Sequence, residues 1–163
     1  MLNETKKEVD LLALKNIVES KHKILGLDLG KKRIGISIST SNLDGALPLR
    51  TIQYSGIENL ADELYKIITT HEAKAIIVGL PINMDGSEGK SSQSVRDKTN
   101  KISSFFDLPY AFWDERLSTA AVNRLYETSA KTRQKRGNKK KDIDNLAAAF
   151  ILEGALEYIK RNS

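Results

Sequence analysis

Apolar and polar positions along this chain change period several times, and each change marks an element. Apolar residues crowd together in Ile24-Leu25-Gly26-Leu27-Asp28-Leu29, then recur at every second position as Ile34, Ile36 and Ile38. Both patterns predict strands, 24–30 and 33–39, joined by a tight basic turn at Lys31-Lys32. A third strand is expected near Leu47–Tyr54. It contains Pro48, which cannot donate to a ladder, so the strand starts there or lies at a sheet edge. Ile57, Leu60, Leu64, Ile67 and Ile68 fall at helical spacing over Gly56–His71. Ala75-Ile76-Ile77-Val78-Gly79-Leu80 is a continuous apolar run, the mark of a strand covered on both faces. A loop over 81–89 leads into a helix from Lys90 to about Phe106. Tyr110–Trp113 reads as the last strand and ends at Asp114-Glu115-Arg116. Ser118 or Thr119 caps a helix through Ala120, Ala121, Leu125 and Tyr126, and a final helix runs from about Asp142 to Lys160.

Ahead of these elements, Val9, Leu11, Leu12, Leu14, Ile17 and Val18 predict an irregular amphipathic helix from about Lys7 to Ser20. Residues 1–22 thus read as a helical leader expected to dock on a domain spanning 23–163. The order of elements makes that domain α/β: a central five-stranded mixed sheet, three antiparallel strands and then parallel ones, flanked by helices.

At 163 residues the chain is long enough for one domain with its own core. It has no cysteine, which excludes disulfides and thiolate metal sites. No apolar run nears the length of a membrane span, and the N-terminus leads into no signal-like segment. The expectation is a soluble, cytoplasmic protein without a membrane partner. The net charge of +5 is unevenly spread: residues 131–141 hold seven bases and no acid. Outside that cluster, acids outnumber bases. Arg133, Lys135, Arg136, Lys139, Lys140 and Lys141 therefore form either a solvated loop or a contact for a polyanion. Their nearness to the acids described next favours nucleic acid.

Asp28 interrupts an apolar strand, with Leu25, Leu27 and Leu29 on one face and Gly26, Asp28 and Gly30 on the other. A charge in such a strand is costly unless it is paired or holds a metal, and the glycines leave room beside it. Asp114-Glu115 sits at the carboxyl end of a strand, where an α/β sheet opens its ligand crevice. Asp144 lies in the first turn of the final helix. Steps of three and four carry it to Ala147, Ala148, Ile151 and Ala155, so it points inward; Asp142 lines up with Asn145, Leu146, Ala149 and Glu153, a more mixed face that should turn outward.

Carboxylates converging in this way need a counter-charge. Hard oxygen ligands suit Mg²⁺ or Mn²⁺, and two such ions about 4 Å apart can activate water at a phosphodiester. Each acid also has a structural account: Asp144 at a helix N-terminus, Asp114 in a turn, Asp28 paired with Arg33 or Arg116. The stretch from Gly79 to Arg96 lacks Walker spacing; its loop either presents N–H groups to a phosphate or is merely structural. His22 and His71 are isolated and read as surface residues, and Trp113 as core.

Four stretches together resemble the YqgF (RuvX) family, RuvC-like members of the ribonuclease H-like superfamily. They are Gly26-Leu27-Asp28-Leu29-Gly30-Lys31-Lys32-Arg33-Ile34-Gly35, Val78-Gly79-Leu80-Pro81-Ile82-Asn83-Met84-Asp85-Gly86-Ser87, Asp114-Glu115-Arg116-Leu117-Ser118-Thr119 and Lys140-Lys141-Asp142-Ile143-Asp144-Asn145-Leu146-Ala147-Ala148. The resemblance covers about 23–160, and the leader departs from it, since family members begin close to the first strand. It implies a ribonuclease H-like fold and a nuclease dependent on Mg²⁺ or Mn²⁺, with Asp28, Glu115 and Asp144 as catalytic and metal-holding acids. Lys31, Lys32, Arg33 and Arg116 join the basic cluster as candidate nucleic-acid contacts. The family is linked to trimming the 5′ end of the small-subunit ribosomal RNA precursor, with ribosomal particles as partners.

Two rivals remain: a junction-resolving nuclease acting on branched DNA, which favours a homodimer over a monomer, and a non-catalytic RNA-binding assembly factor. An actin- or sugar-kinase-like ATPase is set aside, because such enzymes need two similar domains.

Overall fold

The computed structural model describes residues 7–17, 21–117 and 140–163; for residues 140–145 it describes the backbone alone. A 3-10 turn, Leu11–Ala13, runs into α1 (Leu14–Ile17). There follow β1 (Lys23–Leu29), β2 (Arg33–Ser39), β3 (Ala46–Gln53), α2 (Ile57–His71), β4 (Ala73–Leu80), α3 (Lys90–Ser103) and β5 (Tyr110–Asp114). A second 3-10 turn covers Glu115–Leu117, and α4 spans Lys140–Arg161. The sheet order is β3-β2-β1-β4-β5. β1 pairs antiparallel with β2 and parallel with β4; β2 with β3 is antiparallel and β4 with β5 parallel. This is the mixed five-stranded sheet expected from the order of elements. Pro48 lies on the edge strand, opposite Ser37, where the ladder carries a bulge.

Both faces of the sheet are covered, which is why β1 and β4 read as nearly unbroken apolar runs. Leu25, Leu27 and Leu29 share one face with Ile34, Ile36, Ile38, Ile76 and Val78, packed against Leu60 and Leu64 of α2 and Val95 and Ile102 of α3. Ile24, Ala75, Ile77, Ala111 and Trp113 form the other face, against Ile151, Leu152, Ala155 and Leu156 of α4. Asp28 is on this second face.

The approach of α4 is set by missing side chains. A Cβ on Gly26 would fall 2.3 Å from Ser37 Oγ and 2.9 Å from Leu152 Cβ; one on Gly79 would fall 2.4 Å from Ile151 Cδ1. Ser37 then donates its hydroxyl to the Ala148 carbonyl at 2.8 Å, tying helix to sheet.

The expected leader helix is shorter than its periodicity suggested. Glu8 bridges to Tyr110 as an added parallel edge, with Val9 N–H donating to the Tyr110 carbonyl and Tyr110 N–H to that of Lys7. Backbone engaged with a sheet edge cannot also turn helically, so helix starts only at Leu11. Leu11 and Leu14 are buried in the α4-side core. α3 also stops early, at Ser103, where the Lys7 ammonium donates to the carbonyls of Ser103 and Phe106. The flank of α4 expected to face outward is buried at Leu146 and Ala149, and Glu153 accepts from Ala46 N–H at 2.7 Å. The reason is width: α4 lies across β1, β2 and β3, so more than one stripe meets protein. The expected helix from Ser118 or Thr119, and Arg133, Lys135, Arg136 and Lys139 of the basic cluster, lie outside the described residues.

Candidate active site

Asp28 is the penultimate residue of β1 and is half-buried. Its cross-strand partner is Gly35, so no neighbouring side chain on β2 crowds its face. Glu115 follows β5 directly and opens the 3-10 turn. Its Oε1 lies 3.4 Å from the position a Cβ on Gly79 would take, so it leans back over β4 on the α4 side of the sheet. Burial first, then the charges of Asp28 and Asp114, push the Glu115 carboxyl above the ordinary carboxylate range. Two acids far apart in sequence therefore lie near enough, at the carboxyl ends of β1 and β5, for their charges to interact.

Asp114 is committed elsewhere. Arg116 donates to it from Nη2 at 2.8 Å, from Nε at 3.1 Å and from its backbone N–H at 3.0 Å, and these bonds hold Asp114 below the usual range. Of the adjacent acids that the sequence left open, Glu115 is the one that senses Asp28. Arg116 is accordingly turned toward Asp114, and its Nη1 lies 3.6 Å from where a Cβ on Gly86 would stand. It links the end of β5 to the 81–89 loop.

Asp144 belongs to α4 with its backbone one turn before Ala148, whose carbonyl holds Ser37; its side chain, like those of Asp142, Lys140 and Lys141, lies outside the described residues. Among the described residues no three acids or histidines gather into a metal-binding group. The donors that are described still fit a hard cation: two carboxylates, one of them disfavoured as an anion by the other, with no cysteine anywhere in the chain.

Lys31, Lys32 and Arg33 are exposed at the β1–β2 turn, beside Asp28. The 81–89 loop is less available to a phosphate than its glycines suggest. Asn83 N–H donates to the Ser87 carbonyl, Gly86 N–H to that of Asn83, and Ser87 N–H to Asp85 Oδ1, each at 2.9 Å. Three of its amides are thus spent within the loop. Sequence reasoning missed a basic groove beside α3, lined by Lys90, Lys98 and Lys101. The available signal was helical spacing, since these positions return to one side of a helix.

The Glu115 carboxyl gives a stability test. The fold raises its pKa, so the folded state holds that proton more tightly than the unfolded chain. Its contribution is fully present below the unfolded value near 4.5 and is lost as pH rises through the raised folded value. Without divalent cations, Glu115→Gln is expected to unfold at a higher urea concentration than wild type at pH 7, with the gap closing at pH 4. A gap of the opposite sign at pH 7 would show that the carboxylate is stabilised there.

Comparison with known proteins matches residues 22–158 to the family model RuvX, described as Holliday junction resolvase. A protein of Pelagibacter ubique described as "Putative pre-16S rRNA nuclease" is 46% identical over 140 residues, covering 86% of this chain and 91% of its own. One of Phenylobacterium zucineum with the same description is 42% identical over 154 residues, covering 93% and 97%. Among solved structures, T. thermophilus RuvC in complex with Holliday junction substrate matches with a TM-score of 0.58 at 13% identity, covering 86% of this chain and 95% of its own. That likeness supports the RuvC-type, ribonuclease H-like fold.

Proposed function

As a member of the RuvX family this chain is a nuclease, and we propose that it hydrolyses phosphodiester bonds of the 16S ribosomal RNA precursor, trimming its 5′ end, with Mg²⁺ or Mn²⁺ as cofactor. The observation that carries the site is the nearness of Asp28 and Glu115 under α4, with Glu115 pushed up by burial and by Asp28. Asp28, Glu115 and Asp144 are the residues that would hold the cation. When bound, it supplies a more acidic water and a counter-charge for the phosphate oxygens.

The rest of the chemistry falls to the chain. The Asp28 and Glu115 carboxylates, fixed on a strand and a strand end, set the position of the reacting phosphate relative to the sheet edge. Burial, and then the charges of Asp28 and Asp114, make the Glu115 carboxyl hold a proton more tightly than an ordinary glutamate. Lys31, Lys32 and Arg33 neutralise phosphates beside Asp28, and the basic segment from Arg133 to Lys141 adds affinity that falls steeply with salt. Arg116 acts through Asp114, which it orients. The work is cytoplasmic, on ribosomal particles or their precursor RNA; among the described residues no helix is long and apolar enough to cross a membrane.

A second reading, cleavage of branched DNA, is supported by the family description and by the fold shared with a junction-bound resolvase. The RNA substrate is favoured by the descriptions of relatives at 46% and 42% identity, against 13% for the resolvase structure. Incubation with a precursor rRNA fragment and a four-way DNA junction, in Mn²⁺ and in EDTA, decides between them. Mn²⁺-dependent cleavage of the RNA at its 5′ side is expected; preferential cleavage of the junction would overturn the substrate assignment.

A further inference from the structure

Across the tip of the sheet from Asp28, an open groove of about 410 Å³ runs along α3, lined by Tyr54, Lys90, Gln93, Ser94, Lys98 and Lys101. Asp97 stands on its wall, where it accepts from Gln93 Nε2 at 2.9 Å. Lys98 is the anchor. Its Nζ donates to the Gly30 carbonyl at 3.1 Å and sits 4.4 Å over the Tyr54 ring, while Tyr54 N–H donates to the Lys32 carbonyl at 2.8 Å. The groove is thereby fastened to Gly30–Lys32, the turn that continues directly from Asp28.

Its lining carries three lysines against one carboxylate, Asp97, and is net positive. Among the described residues, none of Lys31, Lys32, Lys90, Lys98 or Lys101 forms an ion pair with an acid. Burial, and then the charge of Lys31, lower the Lys98 ammonium from its ordinary value, so the lysines of the turn and of the helix sense each other. Lysines gathered in excess over the single carboxylate of Asp97 cost the isolated fold energy, and a polyanion laid along them would offset that cost. One face of the Tyr54 ring is covered by Lys98, and the other lining groups are lysines, amide and hydroxyl side chains suited to a phosphodiester backbone.

We propose that this groove is a second substrate-binding tract, in which the α3 lysines hold the phosphodiester backbone of a nucleic-acid strand extending away from the carboxylates. Lys90, Lys98 and Lys101 face the phosphates, and Gln93 and Ser94 hydrogen-bond phosphate or sugar oxygens. The turn Gly30–Lys32 bridges the groove to the edge where the charges of Asp28 and Glu115 interact. The strand's identity as substrate rests on the nuclease assignment; the groove's affinity for a backbone does not.

The test is the salt dependence of binding of a labelled single-stranded RNA to the full chain in EDTA. Each single-strand phosphate contact contributes roughly 0.7 to the slope of log K against log salt. Lys90→Gln with Lys98→Gln and Lys101→Gln is expected to lower that slope by about 2. Because Lys98 also bonds Gly30, the exposed pair Lys90→Gln and Lys101→Gln is measured as well, with an expected fall of about 1.4. Lys66→Gln with Lys74→Gln and Lys160→Gln removes as much charge elsewhere and should lower the slope by less than about 0.5. Slopes equal to wild type in both groove variants would overturn the proposal. A lowered slope in a protein that cuts no nucleic acid would uphold the groove and sink the nuclease assignment. An unchanged slope in an active enzyme would do the reverse.

Discussion

Asp28→Asn is expected to slow phosphodiester cleavage by on the order of 10³-fold, about 4 kcal/mol of transition-state stabilisation, at saturating RNA and Mn²⁺. The substitution is nearly isosteric and leaves the β1 ladder and the leucines on the opposite face in place. Burial remains the main reason the Glu115 carboxyl is raised, but the substitution removes the contribution of the Asp28 charge, so Glu115 moves part of the way back toward its ordinary range. Folding should therefore be kept or improved while activity is lost. RNA affinity in EDTA should change little, because phosphate contacts come from the basic turn and groove rather than from a carboxylate. Loss of structure in Asp28→Asn would instead mark the residue as a structural ion-pair partner.

Gly26→Val is expected to destabilise the fold by about 3 kcal/mol, the upper end for an overfilled core, measured by urea unfolding. Even a first carbon at this position meets Ser37 Oγ at 2.3 Å, Leu152 Cβ at 2.9 Å and the Ala148 carbonyl at 3.3 Å. Two of those atoms belong to α4, and the third makes the hydrogen bond that pins α4 to β2. Relief requires the helix to lift, and Asp144 lies on that helix one turn before Ala148. Activity should therefore fall even at temperatures where the variant stays folded. A stable variant with full activity would show that the closeness of α4 does not matter to the site.

The sequence exposed what one element decides alone. The alternation of Ile34, Ile36 and Ile38, and the charge of Asp28 among leucines, are properties of single strands, and the sheet reproduces them. It concealed what two elements decide together. Lys7–Val9 carries helical periodicity, but an edge of β5 is available to pair with it. The mixed flank of α4 looks solvent-facing until the width of the sheet beneath it is known, where Glu153 satisfies a β3 amide. Asp114 and Glu115 could not be ranked from alternation, because the chain leaves strand geometry immediately after Asp114. The α3 groove was hidden for the same reason: its lysines gain meaning only when Lys98 reaches Gly30 from the far end of the fold.

The central claim is that Asp28 and Glu115 work as one cation-dependent unit. Its most direct test is a double-mutant cycle on the Mn²⁺-dependent cleavage rate, using Asp28→Asn, Glu115→Gln and the double variant. Groups that act as a unit are strongly non-additive. The double variant is predicted to be no slower than the slower single one. Losses that simply multiply, or a single variant that keeps the wild-type rate, would contradict it.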